Sequence, residues 1–325
     1  MNKKNKKKIY LAGHKGMVGS AMYKLLSSSS KSKNIEIITR TKKQLNLLDQ
    51  KKVEKFFLSE KPDEVIISAA KVGGINANNK YPVNFLYENI MIESNLINQS
   101  FHTGIKKLIF LGSSCIYPKK AKQPIKEEYL LTGPLEETNE PYALAKIVGI
   151  KLCQSFNRQY GTDYRSLMPC NLYGPGDNYN LKESHVIPAL IRKFYLAKKN
   201  KKKYVSIWGS GKPKREFLHV LDLASASLEI MSLSKKKYLE LTNSGSHINI
   251  GSGKEISILE LAKIISKIVN FKGEIKFDKS MPDGTMRKVL DITKIKNLDW
   301  KPNFSLESGI EHTYVDFLKT KKIRT

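Results

Sequence analysis

A mixed α/β fold built on a doubly wound parallel sheet is what this sequence predicts, from three observations. The apolar run Ile9-Tyr10-Leu11-Ala12 enters a glycine turn, Gly13-His14-Lys15-Gly16-Met17-Val18-Gly19, and then a helical pattern over residues 20–26. Short apolar runs recur along the next 150 or so residues, separated by stretches of helical periodicity. The segment Tyr142-Ala143-Leu144-Ala145-Lys146 sets a phenol and an ammonium four residues apart, on one helix face. Strands alternating with helices wind a parallel sheet covered on both sides, with ligands bound at the carboxyl ends of the strands.

Taken in order, the first strand and its turn carry the strongest local signal. Glycines at 13, 16 and 19 follow a Gly-x-x-Gly-x-x-Gly spacing. A tight turn, a close backbone approach and a helix N-terminus together suit a pyrophosphate. The whole turn, with His14, Lys15, Met17 and Val18 beside the glycines, is the expected cradle of a dinucleotide. Residues 35–38, Ile-Glu-Ile-Ile, read as the second strand. An acid for a ribose diol is expected about 20 residues after such a turn, but the chain has Thr39-Arg40-Thr41-Lys42 there. Arg40 and Lys42, with Lys15, suit a 2′-phosphate, which points to NADPH; ordinary surface basicity is the competing reading.

Val65-Ile66-Ile67-Ser68-Ala69-Ala70 is the third strand, with Asp49 upstream in Leu-Asn-Leu-Leu-Asp. A long helix is expected over residues 82–103, then a fourth strand over 107–111 ending in Gly112-Ser113-Ser114-Cys115-Ile116-Tyr117-Pro118. The Tyr142 helix precedes a fifth strand over 164–168. From Asn171 the alternation loosens: Gly174-Pro175-Gly176, an apolar helix over 186–197 and Trp208-Gly209-Ser210-Gly211 suggest a smaller α/β domain. The predicted division is a dinucleotide-binding domain over 8–170, onto which 217–233 packs back, and a mainly substrate-binding domain over 171–325.

Composition narrows the class. With 325 residues and 40% apolar side chains the chain can bury a sizeable core. No run reaches the roughly 18 apolar residues of a membrane span. Cys115, Cys153 and Cys170 show no metal-binding spacing, and a reducing cytoplasm is their simplest home. The net charge of +27 invites a nucleic-acid reading. However, the excess is lysine in short clusters at 3–8, 198–203 and 235–237 without interleaved aromatics, as on a solvated surface. A positive field of this kind still attracts nucleotides. Read alone, Cys115 is a packed small side chain and His185 a helix cap or core histidine.

Gly13, Gly16 and Gly19, Ser113 at the end of strand four, and Tyr142-x-x-x-Lys146 together resemble the extended short-chain dehydrogenase/reductase family. Ala70-Lys71-Val72-Gly73-Gly74-Ile75, the Ser113 segment, Asn139-Glu140-Pro141-Tyr142, Asn171-Leu172-Tyr173-Gly174-Pro175, Ser184-His185-Val186-Ile187-Pro188 and Arg215-Glu216-Phe217-Leu218-His219-Val220 are similar to its GDP-sugar epimerase-reductase branch, from about Ile9 to the C-terminus. The resemblance implies a Rossmann-like sheet, NADP(H) as cofactor, a GDP-4-keto sugar as substrate and a homodimer, with no nucleic acid and no membrane. The implied reaction is epimerisation at C3 and C5, then reduction at C4. It also implies roles: Cys115 and His185 as base and acid, Ser113 and Tyr142 on the C4 oxygen, and Lys146 tuning Tyr142 and holding the nicotinamide ribose. Asp49, Leu111, Gly112, Pro169, Asn171, Leu172 and His185 would line the cofactor, and Lys193, Trp208, Arg215 and Asp283 the GDP-sugar. Lys193 stands where the family usually has arginine, and lysine lacks the bidentate fork.

Two rivals stay open at this stage. A sibling 4-epimerase or 4,6-dehydratase could share the scaffold, although a dehydratase should carry an Asp-Glu pair where this chain has Ser114-Cys115. A non-catalytic dinucleotide binder should have lost the Ser/Tyr/Lys set.

Overall fold

The computed structural model describes residues 6–28, 32–181, 183–243, 245, 247–280 and 283–320. Lys3 and Lys4 of the N-terminal lysine cluster lie outside the described residues. The first half of the chain runs β1 (Lys7–Ala12), α1 (Met17–Ser28), β2 (Ile35–Ile38), α2 (Gln50–Glu60), β3 (Glu64–Ile67), α3 (Ile75–Lys80), α4 (Pro82–His102), β4 (Lys107–Leu111), α5 (Glu140–Tyr160) and β5 (Asp163–Pro169). The fold class read from the sequence holds. A six-stranded parallel sheet is ordered β2-β1-β3-β4-β5-β9, where β9 (His247–Ile250) returns from much later in the chain.

The strands are apolar on both faces because helices cover both: every residue of β3 and β5 is buried. Tyr10, Leu11, Val65, Ile66, Leu108, Ile109, Tyr164 and Leu167 form the centre of the core between them. Each such aliphatic side chain, fully buried, stabilises the fold by roughly 1.5–3 kcal/mol. The third strand is shorter than the apolar run 65–70 suggests. It stops at Ile67, where Ser68 closes onto the Ala12 carbonyl through its amide at 3.0 Å and its hydroxyl at 2.6 Å. The chain then turns under the glycine loop. Because β2 and β3 flank β1 on opposite sides, the crevice at the carboxyl end of β1 is the topological switch point where such sheets bind ligands.

The second half runs β6 (Asn171–Tyr173), α6 (Val186–Lys199), β7 (Tyr204–Trp208), β8 (Lys214–His219), α7 (Val220–Ser232), α8 (Lys235–Thr242), β9, β10 (Glu255–Ser257), α9 (Ile258–Val269), β11 (Glu274–Asp278), β12 (Arg287–Lys288), α10 (Thr293–Lys296) and α11 (Leu306–Lys319). Strand β8 pairs in parallel with β6 and β12 and antiparallel with β10, while β7 and β11 form a separate parallel pair. A second apolar core, including Ile187, Ile191, Phe194, Val205, Ile207, Phe217, Leu261 and Ile265, lies beneath them. The chain crosses between cores within β8: Phe217 belongs to the second, Leu218 to the first. Leu223, Ala224 and Ile230 of α7 likewise join the first core, and α7 packs against α1. Helix α9 begins with a reciprocal cap: Ser257 Oγ accepts from the Glu260 amide and Glu260 Oε2 accepts from the Ser257 amide.

Candidate active site

The glycine turn shows why its residue types are fixed. Gly13 adopts φ +91°, and a Cβ there would lie 2.6 Å from the Ala69 amide nitrogen. At Gly19 a Cβ would meet the Gly13 carbonyl oxygen at 2.2 Å, so the missing side chain lets α1 sit against the turn. Gly16 is less constrained, with ordinary contact at 3.4 Å. Helix α1 starts at Met17, and its first amides have no intrahelical acceptors, so a positive helix end faces the crevice. His14 Nδ1 lies buried there without a hydrogen-bond partner. A cradle of free donors at the switch point fits a dinucleotide pyrophosphate.

The basic residues after β2 are disposed unequally. Arg40 is tied down: Nη2 pairs with Glu60, Nη1 donates to the Thr39 carbonyl at 2.8 Å, and the guanidinium lies 5.3 Å from the Phe56 ring centre. Lys15 and Lys42 are exposed. Asp49, expected near the cofactor, caps α2 by accepting from the Lys52 amide at 3.1 Å and pairs with Lys52 Nζ at 3.0 Å. Its carboxylate is held below the usual range by those Lys52 hydrogen bonds.

Strand β4 delivers Leu111 and Gly112 to its end, where the Gly112 amide still bonds the Leu167 carbonyl of β5 at 2.9 Å. Ser113 follows in extended conformation and caps a short 3-10 turn, Ser114–Ile116, by accepting from the Cys115 amide at 3.2 Å. That cap aims Cys115 towards α5. The thiol is half-buried, and Asn139 Nδ2 donates to its sulfur at 3.6 Å. Pro141 in the first turn of α5 pre-sets the helix, and Tyr142 follows one residue later. The Tyr142 phenol hydrogen-bonds with Ser113, and the Phe85 ring stands edge-on at 6.4 Å. Ser113, Cys115 and Tyr142 therefore lie together beyond the carboxyl end of β4.

One turn along α5, Lys146 is buried. Its Nζ lies 2.7 Å from Glu93 Oε1 of α4, 4.7 Å from the Phe110 ring centre and 5.9 Å from the Tyr142 ring centre. This alters the electrostatics expected from the sequence. Burial pushes the Tyr142 phenol well above its ordinary value; Cys115 and Glu93 add to the rise, and only the Ser113 hydrogen bond opposes it. Lys146 was expected to lower the phenol, but its charge is matched by a buried carboxylate beside it.

His185 is the N-cap residue of α6, yet its ring makes no capping bond. Solvent reaches the imidazole, but crowding by protein holds its pKa below the histidine norm. Pro169 ends β5 opposite Ile250, and Asn171 and Leu172 open β6, where Asn171 Nδ2 donates to the Glu216 carbonyl at 3.0 Å. The remaining residues form a cluster of their own. Lys193 Nζ lies 5.5 Å from the half-exposed Trp208 ring, and Asp283 accepts from Ser210 through amide (2.8 Å) and hydroxyl (2.6 Å). Arg215 donates to the Thr285 carbonyl and feels the Asp283 charge; burial lowers its pKa. Those Ser210 bonds hold the Asp283 carboxyl below the usual range.

Two site residues escaped the sequence reading: Asn139 on the Cys115 sulfur and Glu93 on Lys146. Glu93 directly follows the apolar stretch Ile90-Met91-Ile92 within a long helical pattern, and an acid at that place was the available signal. Among the described residues no cluster suits a metal ion, and no helix is long and apolar enough to cross a membrane.

Comparison with known proteins agrees with this architecture. The model of the NAD dependent epimerase/dehydratase family matches residues 9–251. The chain is 54% identical to GDP-L-fucose synthase of Escherichia coli strain K12, over 98% of both chains. A solved GDP-6-OMe-4-keto-L-xylo-heptose reductase from C. jejuni superposes with a TM-score of 0.89 at 38% identity, over 98% of this chain and 99% of that one. A GDP-L-fucose synthetase from Naegleria fowleri, solved with NADP bound, gives 0.85 at 29% identity, over 97% and 95%. With glycine turn, serine and Tyr/Lys helix in the arrangement described, the chain belongs to the NAD dependent epimerase/dehydratase family.

Proposed function

We propose that this chain is a GDP-L-fucose synthase, which epimerises GDP-4-keto-6-deoxy-D-mannose at C3 and C5 and then reduces C4. The observation that carries the reading is the convergence of Ser113, Cys115 and Tyr142, a combination that serves both halves of the reaction. NADPH, when bound along the Gly13–Gly19 turn, supplies the hydride.

The residues have the following work. A proton next to the C4 ketone is removable only if the resulting enolate oxygen is held. Ser113 and Tyr142 donate to that oxygen. Cys115 and His185 exchange protons at C3 and C5, one removing and the other returning. Because His185 is held below the usual histidine value, it is neutral at neutral pH and can take a proton before returning it. In the reductive half Tyr142 gives its proton to the same oxygen, and Lys146 holds the nicotinamide ribose. Arg40 and Lys42 take the 2′-phosphate, with Lys15 in the turn, while Asp49 acts through the position of α2. Leu111, Gly112, Pro169, Asn171 and Leu172 line the cofactor. The Lys193, Trp208, Arg215 and Asp283 cluster takes the GDP-sugar, with Arg215 on phosphate and Trp208 as a stacking face. On this reading residues 8–170 and 217–233 form the cofactor domain and most of 171–325 the substrate domain. The enzyme works as a homodimer in the cytoplasm, in keeping with three free cysteines.

The direct test supplies GDP-4-keto-6-deoxy-D-mannose with NADPH and follows loss of the reduced nicotinamide absorbance. Oxidation that depends on this substrate, with GDP-L-fucose as product, is expected; no oxidation by folded protein would refute the reading. A second measurement concerns the cofactor. Arg40→Ala should weaken NADPH binding about 10- to 100-fold, the range expected for charge-assisted bonds, and leave NADH unchanged. Equal loss for both cofactors in a fluorescence titration would remove Arg40 from the 2′-phosphate.

A further inference from the structure

The Glu93–Lys146 pair has features that simple ion-pair stabilisation does not explain. Glu93 is fully buried on α4 and Lys146 only 2% exposed. Oε1 lies 2.7 Å from the ammonium nitrogen, but neither carboxylate oxygen has a well-aligned hydrogen bond, so the buried carboxylate faces a single cation. Space for it is made by Gly149 of α5, where a Cβ would lie 2.7 Å from Glu93 Oε2 and 2.4 Å from the Phe110 ring. Isolated buried pairs of this kind add little stability relative to apolar packing. The chain nonetheless holds one directly behind its tyrosine.

We propose that Glu93 is a positioning residue that biases the site towards carbonyl reduction: it holds Lys146 and keeps Tyr142 in its proton-donating form. This rests on the reductase reading above and deepens it. In the reductive direction the Tyr142 O–H bond breaks, its proton passes to the C4 oxygen, and the phenolate left behind regains a proton from water. A site built for this direction benefits from a phenol that stays protonated until a strong base, the nascent alkoxide, appears beside it. An unmatched Lys146 ammonium would instead favour phenolate in the resting site. Glu93 matches that charge, so the pair presents no net positive charge to the phenol.

The other groups facing the phenol are few. From the turn after β4 come Ser113, which bonds the hydroxyl, and Cys115, which disfavours phenolate; from α4 comes Glu93; from α5 comes Lys146. Facing Glu93 itself, α5 presents Lys146 and Cys153, whose thiol is pushed up to about 12 by burial. Burial raises the Glu93 carboxyl to about 7 and Lys146 opposes that rise, so in the alkaline range of a phenol titration the group is a carboxylate; replacing it by glutamine keeps the shape and removes that charge. Phenolate then becomes easier to form, so the Tyr142 pKa must fall.

The experiment is a spectrophotometric phenolate titration of the protein with NADP⁺, with no sugar present. It takes the difference between each Glu93 form and the same form carrying Tyr142→Phe. Glu93→Gln should lower the Tyr142 midpoint by at least one pH unit. It should also move the alkaline limb of the NADPH-dependent reduction to lower pH by a similar amount. Glu93→Asp, which restores the charge, should return both towards the parent protein, and Glu93→Met, uncharged and of similar volume, takes the place of the glutamine variant if that one fails to fold. An unchanged phenolate midpoint in a folded variant without the charge, even with lowered thermal stability, would reduce the pair to a structural role and overturn the proposal. Since the titration needs no turnover, it stands or falls separately from the fucose-forming activity.

Discussion

Tyr142→Phe should abolish reduction while leaving much of the epimerase half intact. The substitution removes one oxygen from a half-buried ring that keeps its edge contact with Phe85, so the fold and NADPH affinity should hardly change. What disappears is the phenolic proton that, on the reading proposed above, passes to the C4 oxygen. General acids of this kind contribute roughly 10²- to 10⁴-fold, and a loss of that size in NADPH oxidation is expected. Solvent deuterium should continue to enter C3 and C5 at a reduced rate, because Ser113 still donates to the enolate oxygen. Stopped-flow oxidation and mass spectrometry of the recovered sugar read the two halves separately. Full reductase activity in the variant would reject Tyr142 as the acid. A parallel loss of exchange and reduction would mean that Ser113 alone cannot hold the enolate.

The reach of the sequence is clearest where chemistry and backbone geometry coincide. Gly13 and Gly19 were legible because the turn leaves no room for a Cβ at either position, and the strand before and helix after them made the context unambiguous. The parallel sheet followed from apolar strands of the right length, and Leu218, Leu223, Ala224 and Ile230 join the first core through an apolar run of the same kind. Long-range pairings were less accessible. The insertion of His247–Ile250 as the sixth strand depends on β5 offering an unpaired edge, which no local pattern reveals. Electrostatics was the least legible. From spacing alone Lys146 faces Tyr142, and the phenol should become more acidic. The carboxylate that reverses this arrives from α4, 53 residues earlier in the chain. Arg40 shows the same limit: its identity suggests a phosphate, while its pairing with Glu60 and its position over Phe56 come from the packing of α2 and could not be read from the sequence. A residue type announces which chemistry it can perform; its neighbours across the sheet decide in which protonation state it does so.

Cys115→Ser should separate epimerisation from reduction in the opposite sense. The thiolate rather than the thiol is the effective base, and a serine hydroxyl cannot replace it near neutral pH. The exchange of deuterium into the sugar should therefore fall about 10²- to 10⁴-fold. The substitution is small, and serine can keep the Asn139 amide contact that now meets sulfur at 3.6 Å; the Ser113 cap on the 115 amide is a backbone bond and survives. Cofactor binding and the Tyr142 acid are thus left in place. Hydride transfer to a ketone that has not been epimerised then becomes the competing fate. The variant should release a reduced GDP-6-deoxy sugar that retains the substrate's configuration at C3 and C5, which NMR of the product distinguishes from GDP-L-fucose. Unchanged exchange at both carbons would remove Cys115 from the mechanism and leave His185 to find another partner. Exchange lost at one carbon only would show that the thiol serves that carbon and that a different group serves the second, and the surviving position would identify which proton His185 reaches without it.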